Sequence, residues 1–577
     1  MRNKLQIIIK HGKVIDGTGA QPYYADVGIK NGLIVKIGSI QDPAEEIIDA
    51  RGLLVTPGFV DIHTHYDGQA VWDQQLSPSS WHGVTTVLMG NCGVGFAPVK
   101  KQDQQAVIEL MEGVEDIPGA CLHQGLQWNW ETFEDYLNVL DETTRDVDIC
   151  TQLPHGPLRV FVMGERALRL EAATDQDMQR MREIARNAMH AGALGFSTSR
   201  TIAHQTSKGN PTPMMRAHED ELTAIMMGLA DAGHGQLEYV SDWDQPDPAT
   251  EFAMLERVIN ASKRTCVFTN NQRHGERSFV WRELLELSQR TCRQGVQIRP
   301  IAAPRPIGSL FGLTGTQNPF SATPTYHQMA NLPLAERVKL MSQAEIRAQI
   351  LSEDPYKQSR FPLFKLMGLE KMYERMFLLS YPPNYEPDAQ SSVASIAKQQ
   401  GRSPQEVAYD MLISDEGRNF LYSIFTSFNE FNLEPVKAML QSQHAMIGLS
   451  DGGAHVGFIT DASFTTWLLS YWGRDRKQGV FPIEELVRRY TSDPAQTVGL
   501  MDRGVIQVGK KADINVIDFD QLAVEMPYAV NDLPAGGRRL LQKAQGYRAT
   551  LVSGVLTYRD GKFTGATPGR LVRGPQT

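Results

Sequence analysis

The sequence predicts an α/β protein: a (β/α)8 TIM-type barrel joined to a small β domain assembled from both chain ends. Three observations predict it. Both ends read as short strands with tight turns, and the middle does not. From about residue 58 to 500, short apolar runs alternate with long helical patterns. The chain has 577 residues, too many for one ordinary core but suited to a large barrel with a satellite domain.

Near the N-terminus, Leu5, Ile7 and Ile9 alternate with Gln6, Ile8 and Lys10. Asp16-Gly-Thr-Gly19 and Lys30-Asn-Gly32 are turn sequences, the second leading into Leu33-Ile-Val-Lys-Ile37. Residues 1–57 are therefore expected to form the N-terminal part of the β domain. In the middle, Thr85-Thr-Val-Leu-Met89 reads as a strand. Asp177 to His190 reads as an amphipathic helix stopped by Gly192, followed by the strand-like Leu194-Gly-Phe-Ser-Thr198. Glu219 to Asp231 is a second helix, before Gln236-Leu-Glu-Tyr-Val240. A third ends at Val258 to Ser262, before Cys266-Val-Phe-Thr269. Met446-Ile-Gly-Leu-Ser450 is the last strand of this kind. Residues of about 310–440, rich in Met, Pro, Tyr and Phe, break the rhythm and are expected to form a mostly helical insertion over the barrel mouth. Residues 501–577 return to strands at Ala512-Asp-Ile-Asn-Val-Ile517 and Ala549-Thr-Leu-Val-Ser553, with a turn at Tyr558-Arg-Asp-Gly561.

Composition narrows the function. A hydrophobic fraction of 41% and a charged fraction of 21% describe a globular chain. A net charge of -9 argues against a nucleic-acid partner. The five cysteines (Cys92, Cys121, Cys150, Cys266, Cys292) are odd in number and scattered, which fits a reducing cytoplasm better than a disulfide framework. The first ten residues lack a signal-peptide core, and no apolar run is long enough to span a bilayer, so no membrane partner is expected. The expected partner is a small-molecule substrate, and a homo-oligomer stays open.

The most informative stretch is Gly58-Phe-Val-Asp-Ile-His-Thr-His65. Side chains two apart on a strand point to the same side, so His63 and His65 leave together, with Asp61 one step deeper. Paired imidazoles suit a divalent metal; a pair of core or surface histidines is the plain alternative. In a barrel, chemistry sits at the C-terminal ends of strands. Cys92, in Gly90-Asn-Cys-Gly93, and Asp451, in Ser450-Asp-Gly-Gly453, fall there too. Cys92 is either a thiolate ligand or a small residue in a glycine turn. Asp451 is either a ligand and general base or a turn aspartate. Gly448-Leu-Ser-Asp-Gly452 also matches G-x-S-x-G. That serine-hydrolase alternative leaves the histidine pair unexplained, and indifference to chelation would reveal it.

Taken together, Pro57 to His65, His82-Gly-Val-Thr-Thr86, Gly90 to Gly93, Gly192 to Thr198, Ser450-Asp-Gly452, Asp493 to Gly499 and Gly509 to Ile514 resemble the amidohydrolase superfamily. The branch they resemble most is the N-acyl-D-amino-acid deacylases (D-aminoacylases), over almost the whole chain. The resemblance implies a metal-dependent hydrolase barrel with a β-sandwich from both termini. It implies His63, His65, Cys92 and Asp451 as the metal set, with Asp451 as general base and metal-activated water attacking an amide-type C–N bond, as in an N-acyl amino acid or related compound. Ser197, Thr198 and Arg200 are candidates near the oxyanion. Deamination, or opening of a cyclic amide or lactone, is the alternative within the superfamily, and a non-catalytic binding protein is the remaining one.

The chain departs from the family pattern in two places. The fifth and sixth strands, Gln236-Leu-Glu-Tyr-Val-Ser-Asp242 and Cys266-Val-Phe-Thr-Asn-Asn-Gln272, lack the family's histidines. Glu238 sits where an inward ligand could be, Asn270 or Asn271 could be weak ligands, and His234 and His274 lie off the strands. One Zn2+ is therefore favoured over two ions, and a ligand set with Glu238 would also admit manganese or iron. The family's carboxylate-binding basic residues are missing from Thr269-Asn-Asn-Gln272 and Gly453-Ala-His-Val-Gly457. Arg200, Arg273, Arg299 and Arg305 are candidates to replace them. His455 is a candidate substrate contact, while His155 and His218 read equally well as structural. Trp72, Trp81, Trp128, Trp130, Phe320, Tyr326, Phe361 and Phe364 are expected in core or lid packing.

Overall fold

The computed structural model describes residues 4–244, 246–354 and 369–577; Phe361 and Phe364 lie outside them. The two chain ends share one nine-stranded sheet. Strands Leu5–Val14, Tyr23–Lys30, Leu33–Gly38, Ala44–Asp49 and Leu54–Pro57 come from the N-terminal side. Ile514–Ile517, Tyr547–Val552, Val555–Arg559 and Lys562–Phe563 come from the C-terminal side. The halves join where Leu54–Pro57 runs antiparallel to Ile514–Ile517, with Val55 opposite Val516. Ile7, Ile9, Val27, Ile29, Val55, Ile514, Val516 and Leu551 form one buried cluster there. β-Branched side chains dominate it, as a pleated, half-buried surface favours.

The middle is built on parallel strands in two arcs. Phe59–Asp61, Val84–Met89 and Asp148–Thr151 form the first. Leu153–Pro154, Gly195–Arg200, Gln236–Ser241, Thr265–Thr269, Ile298–Ala302 and Met446–Ile447 form the second, in that order. Only Gln152 separates the arcs along the chain. On the far side they touch through Thr64 and Gly452, where His65 N–H donates to Gly452 O at 2.7 Å and Asp451 N–H to His63 O at 3.2 Å. Gly58 permits the first pairing, since a Cβ there would meet Thr85 Oγ1 at 2.2 Å.

Helices alternate with these strands for local reasons. Asp175–Ala191 starts at a capping box between Thr174 and Asp177 and ends at Gly192, whose φ is +124°. It buries Met181, Ala185, Ala188 and Met189 on one face. Glu219–Ala232 also ends at a glycine, Gly233, and Pro248–Ser262 starts at an Asp247 cap, while Val280–Arg293 buries Val280, Trp281, Leu284 and Leu285.

The insertion is helical over Pro324–Met329, Leu334–Met341, Ala344–Ser352, Val393–Gln400 and Pro404–Ile413. It also holds an antiparallel sheet of Gly308–Gly312, Phe420–Ile424 and Met376–Leu378, which the sequence reading lacks. Gly308 pairs with Ile424, residues far apart in sequence, so no local period reports the pairing. Phe320 and Tyr326 pack in this segment's own core.

Beneath the strands, Asp148 binds Arg503 at 2.6 Å and Lys511 at 2.9 Å. Among the described residues, no helix is long and apolar enough to cross a membrane.

Candidate metal centre

His63 and His65 follow the Phe59–Asp61 strand, with ring centroids 5.5 Å apart. They are 2% and 1% exposed. Asp61 lies below them and accepts the His63 N–H at 3.2 Å. Cys92 lies past Val84–Met89 with φ at +55°, between Gly90 and Gly93, which also have positive φ. This turn is held from outside. Ser197 Oγ donates to Gly90 O at 2.5 Å and accepts the Gly93 N–H at 3.0 Å. Asn91 Nδ2 donates to Thr64 O and Leu88 O. Cys92 Sγ is thereby placed 3.4 Å from His63 Nε2. One ligand-capable atom from each of His63, His65 and Cys92 falls within 4.8 Å of the others.

Two carboxylates close around this trio. Glu238 Oε2 accepts the Cys92 N–H at 2.9 Å, and its Oε1 stands 3.6 Å from His63 Nδ1. Asp451, with φ at +48°, puts Oδ1 3.3 Å from His63 Nε2 and 3.8 Å from His65 Nε2. Positive φ at both Cys92 and Asp451 is a backbone cost that non-glycine residues meet mostly where function fixes the geometry.

Burial sets the charges. It lowers His63 to about 3 and His65 well below its ordinary value, so both imidazoles are neutral, the form that binds metal. It raises Glu238 to about 8 and pushes the Cys92 thiol and Asp451 carboxyl well up, and neighbouring carboxylates push those two further. His65 Nδ1 and Nε2, Glu238 Oε1 and Glu115 Oε1 are buried without a hydrogen-bond partner. Buried, mutually repelling acids beside orphaned ring nitrogens fit a divalent cation, and the mixed N, S and O donor set suits zinc.

The amidohydrolase family profile matches residues 46–558. The chain belongs to the amidohydrolase family. It is a hydrolase acting on C–N bonds. It is 33% identical over 544 residues to the N-acyl-D-glutamate deacylase of Alcaligenes xylosoxydans xylosoxydans, covering 93% of this chain and 92% of that one. It is 26% identical over 575 residues to that organism's D-aminoacylase, covering 98% and 97%. In fold it is similar to the N-acyl-D-glutamate deacylase of Bordetella bronchiseptica, solved with zinc and a phosphonate inhibitor. The TM-score is 0.65 at 23% identity, over 99% of this chain and 100% of that one.

This amidohydrolase commits several sequence candidates elsewhere. The Asn270 amide donates to Trp281 O and Asn271 accepts the Ala303 N–H, so neither faces the trio as a weak ligand would. Ser197 braces the Cys92 turn, and Thr198 bonds His155, itself tied to Glu221. Arg200 contacts the Ala217 carbonyl and Glu251, and Arg273 the Asp242 carbonyl. Arg299 bonds His444 O and Thr497. Arg305, fully buried, pairs with Asp461 at 2.9 Å over the Tyr385 ring. His274 sits by Glu430 and Arg375, and His234 by His190. His218 precedes the Glu219–Ala232 helix as its N-cap residue. Ser450 bonds Asp61 and the Gly452 N–H, with no histidine activating it. Trp128 and Trp130 pack with Phe96 and Tyr136.

Other residues at the centre carried no sequence signal. Glu115 faces His65, and His204 bonds Ser199 at 2.8 Å. Both lie outside strand-end motifs. His455 is partly exposed and stands 3.8 Å from Glu115. A small pocket, with a cavity volume of about 20 Å³, adjoins Asp451 and is lined by Gln69, Ser77, Asp461, Arg539 and Leu540 among others.

Proposed function

We propose that this amidohydrolase cleaves the amide bond of an N-acyl compound, with N-acyl amino acids as the substrate class, using one divalent ion, Zn2+. Its ligands are His63, His65, Cys92 and Asp451, with Glu238 as a further one. The observation that carries the proposal is the convergence of the His63, His65 and Cys92 donor atoms within 4.8 Å, with Asp451 and Glu238 beside them. The activities of the deacylase relatives support the substrate class. We further infer that the two arcs close into one (β/α)8 barrel over 58–500, with the 310–440 insertion, and that 1–57 and 501–577 form the β-sandwich. Free cysteines support a cytoplasmic setting.

A divalent ion bound there supplies a Lewis acid that acidifies water and polarises a carbonyl. The residues do the rest. Asp451 accepts a proton from the attacking water and passes it to the leaving nitrogen. Glu238 holds the Cys92 N–H and orients the thiol-bearing turn.

Elemental analysis of the purified protein and of His63→Ala, Cys92→Ala, Glu238→Ala and Asp451→Ala tests this. About one equivalent of zinc, lost in His63→Ala, is expected. Asp451→Asn is expected to lower kcat by roughly 10²–10⁴-fold on N-acyl amino acids. A protein that takes up no metal under any loading condition sinks the proposal.

A further inference from the structure

Glu115 is costly where it stands. It ends the Gln104–Glu115 helix, and Asp116, with φ at +50°, stops the chain from continuing. The helix dipole opposes a carboxylate at that end. The side chain is 2% exposed. Burial and the neighbouring Asp451, Asp67 and Glu238 all push its carboxyl towards the protonated form, and among the described residues no Lys or Arg counters them.

What the carboxyl faces is a histidine. Oε1 is 3.4 Å from His65 Nδ1, a contact close enough for a hydrogen bond but not aligned as one, while the ring's other nitrogen, Nε2, is 3.8 Å from Asp451 Oδ1. The ring therefore stands between two acids, one at each nitrogen. The helix end is fixed independently: a Cβ on Gly113 would meet Gln205 O at 2.2 Å, and Ser207 N–H donates to Glu109 O. Glu115 also reaches the loop beyond Asp451, because its backbone carbonyl accepts the His455 N–H at 2.5 Å.

We infer that Glu115 is the positioning residue of the metal centre: it holds the Nδ1–H tautomer of His65 and so presents the Nε2 lone pair to the ion. A metal-bound histidine commonly donates its other N–H to a carboxylate, which fixes both tautomer and ring orientation. The inference rests on the metal centre proposed above.

Co2+ titration of the metal-free protein, followed by visible absorption, tests it with wild type, Glu115→Gln, Glu115→Met and His455→Ala. Glu115→Met removes the acceptor at similar volume and is expected to weaken Co2+ binding by about 10–100-fold and shift the absorption band. Glu115→Gln keeps an acceptor oxygen and is expected to stay within about threefold of wild type. His455→Ala is expected to bind as wild type does. The metal-free Glu115→Met protein is expected to melt no lower than wild type, since an unpaired buried acid is gone. Wild-type affinity in Glu115→Met overturns the role. So does equal weakening in His455→Ala, which would assign the effect to the loop, or loss of the metal-free fold, which would make Glu115 structural. A wild type that binds no Co2+ refutes the centre itself, a separate result.

Discussion

Glu238 and His63 answer burial in opposite directions, and that difference is measurable. Without an ion, Glu238 keeps a proton up to about pH 8 and the Cys92 thiol keeps one higher still. His63, held at about 3, and His65 are already neutral. Metal binding must expel protons from Glu238, Asp451 and the thiol, not from the imidazoles. Affinity for Zn2+ is therefore expected to tighten as pH rises through about 8, without an inflection in the usual imidazole range near 6.5. Competition titrations between pH 6 and 9 check this, and Glu238→Gln should lessen the rise without abolishing it, because Cys92 and Asp451 still release protons. A midpoint near 6.5 that survives Glu238→Gln would contradict the assignment. The inward position of Glu238 was legible from strand alternation. The outward turn of Asn270 was not, because its partner, Trp281, comes from a later helix.

At the level of elements, one buried charge cluster ties the strand Asp148–Thr151 to the chain beyond the parallel strands. Burial alone would raise the Asp148 carboxyl, but Lys511 and Arg503 outweigh it and hold it at about 2. The unfolded value is near 3.9. A depressed folded value contributes stability that is present above about pH 4 and lost as pH falls through about 2. Asp148→Asn leaves Arg503 short of its partner and is expected to cost about 3–5 kcal/mol near neutral pH. Urea unfolding of wild type and variant at pH 7 and pH 3 checks this, with a smaller gap at the lower pH; an equal gap would refute the linkage. The helices were legible from their own ends, such as the Thr174 capping box and the Gly192 stop. The insertion's sheet was not, since Gly308–Gly312 reads as a strand only once Phe420–Ile424 lies beside it.

Across the whole molecule, the C-terminal tail returns to the parallel strands. Gly569 and Arg145 exchange backbone hydrogen bonds, Arg570 O accepts from Ile149 N, and Val572 N–H donates to Ile149 O. Gln576 N–H donates to Gly499 O. Deleting residues 569–577 would leave these buried groups unpaired. The truncated protein is expected to melt several degrees lower and to aggregate on heating, as light scattering during a thermal melt would show. An unchanged melt would mean that the tail only covers the surface.

Periodicity by itself determined the α/β class and the β elements at both ends, and strand-end motifs singled out His63, His65, Cys92 and Asp451 as candidates, which the family resemblance joined into one set. These features are local: side-chain alternation, caps and glycine turns are written into neighbouring residues. Tertiary structure alone decided which acids face that trio and which arginines are already engaged. Glu115 meets His65, and Arg305 meets Asp461, only because the chain brings distant segments together. Such contacts depend on packing between elements, and no spacing in the sequence encodes them.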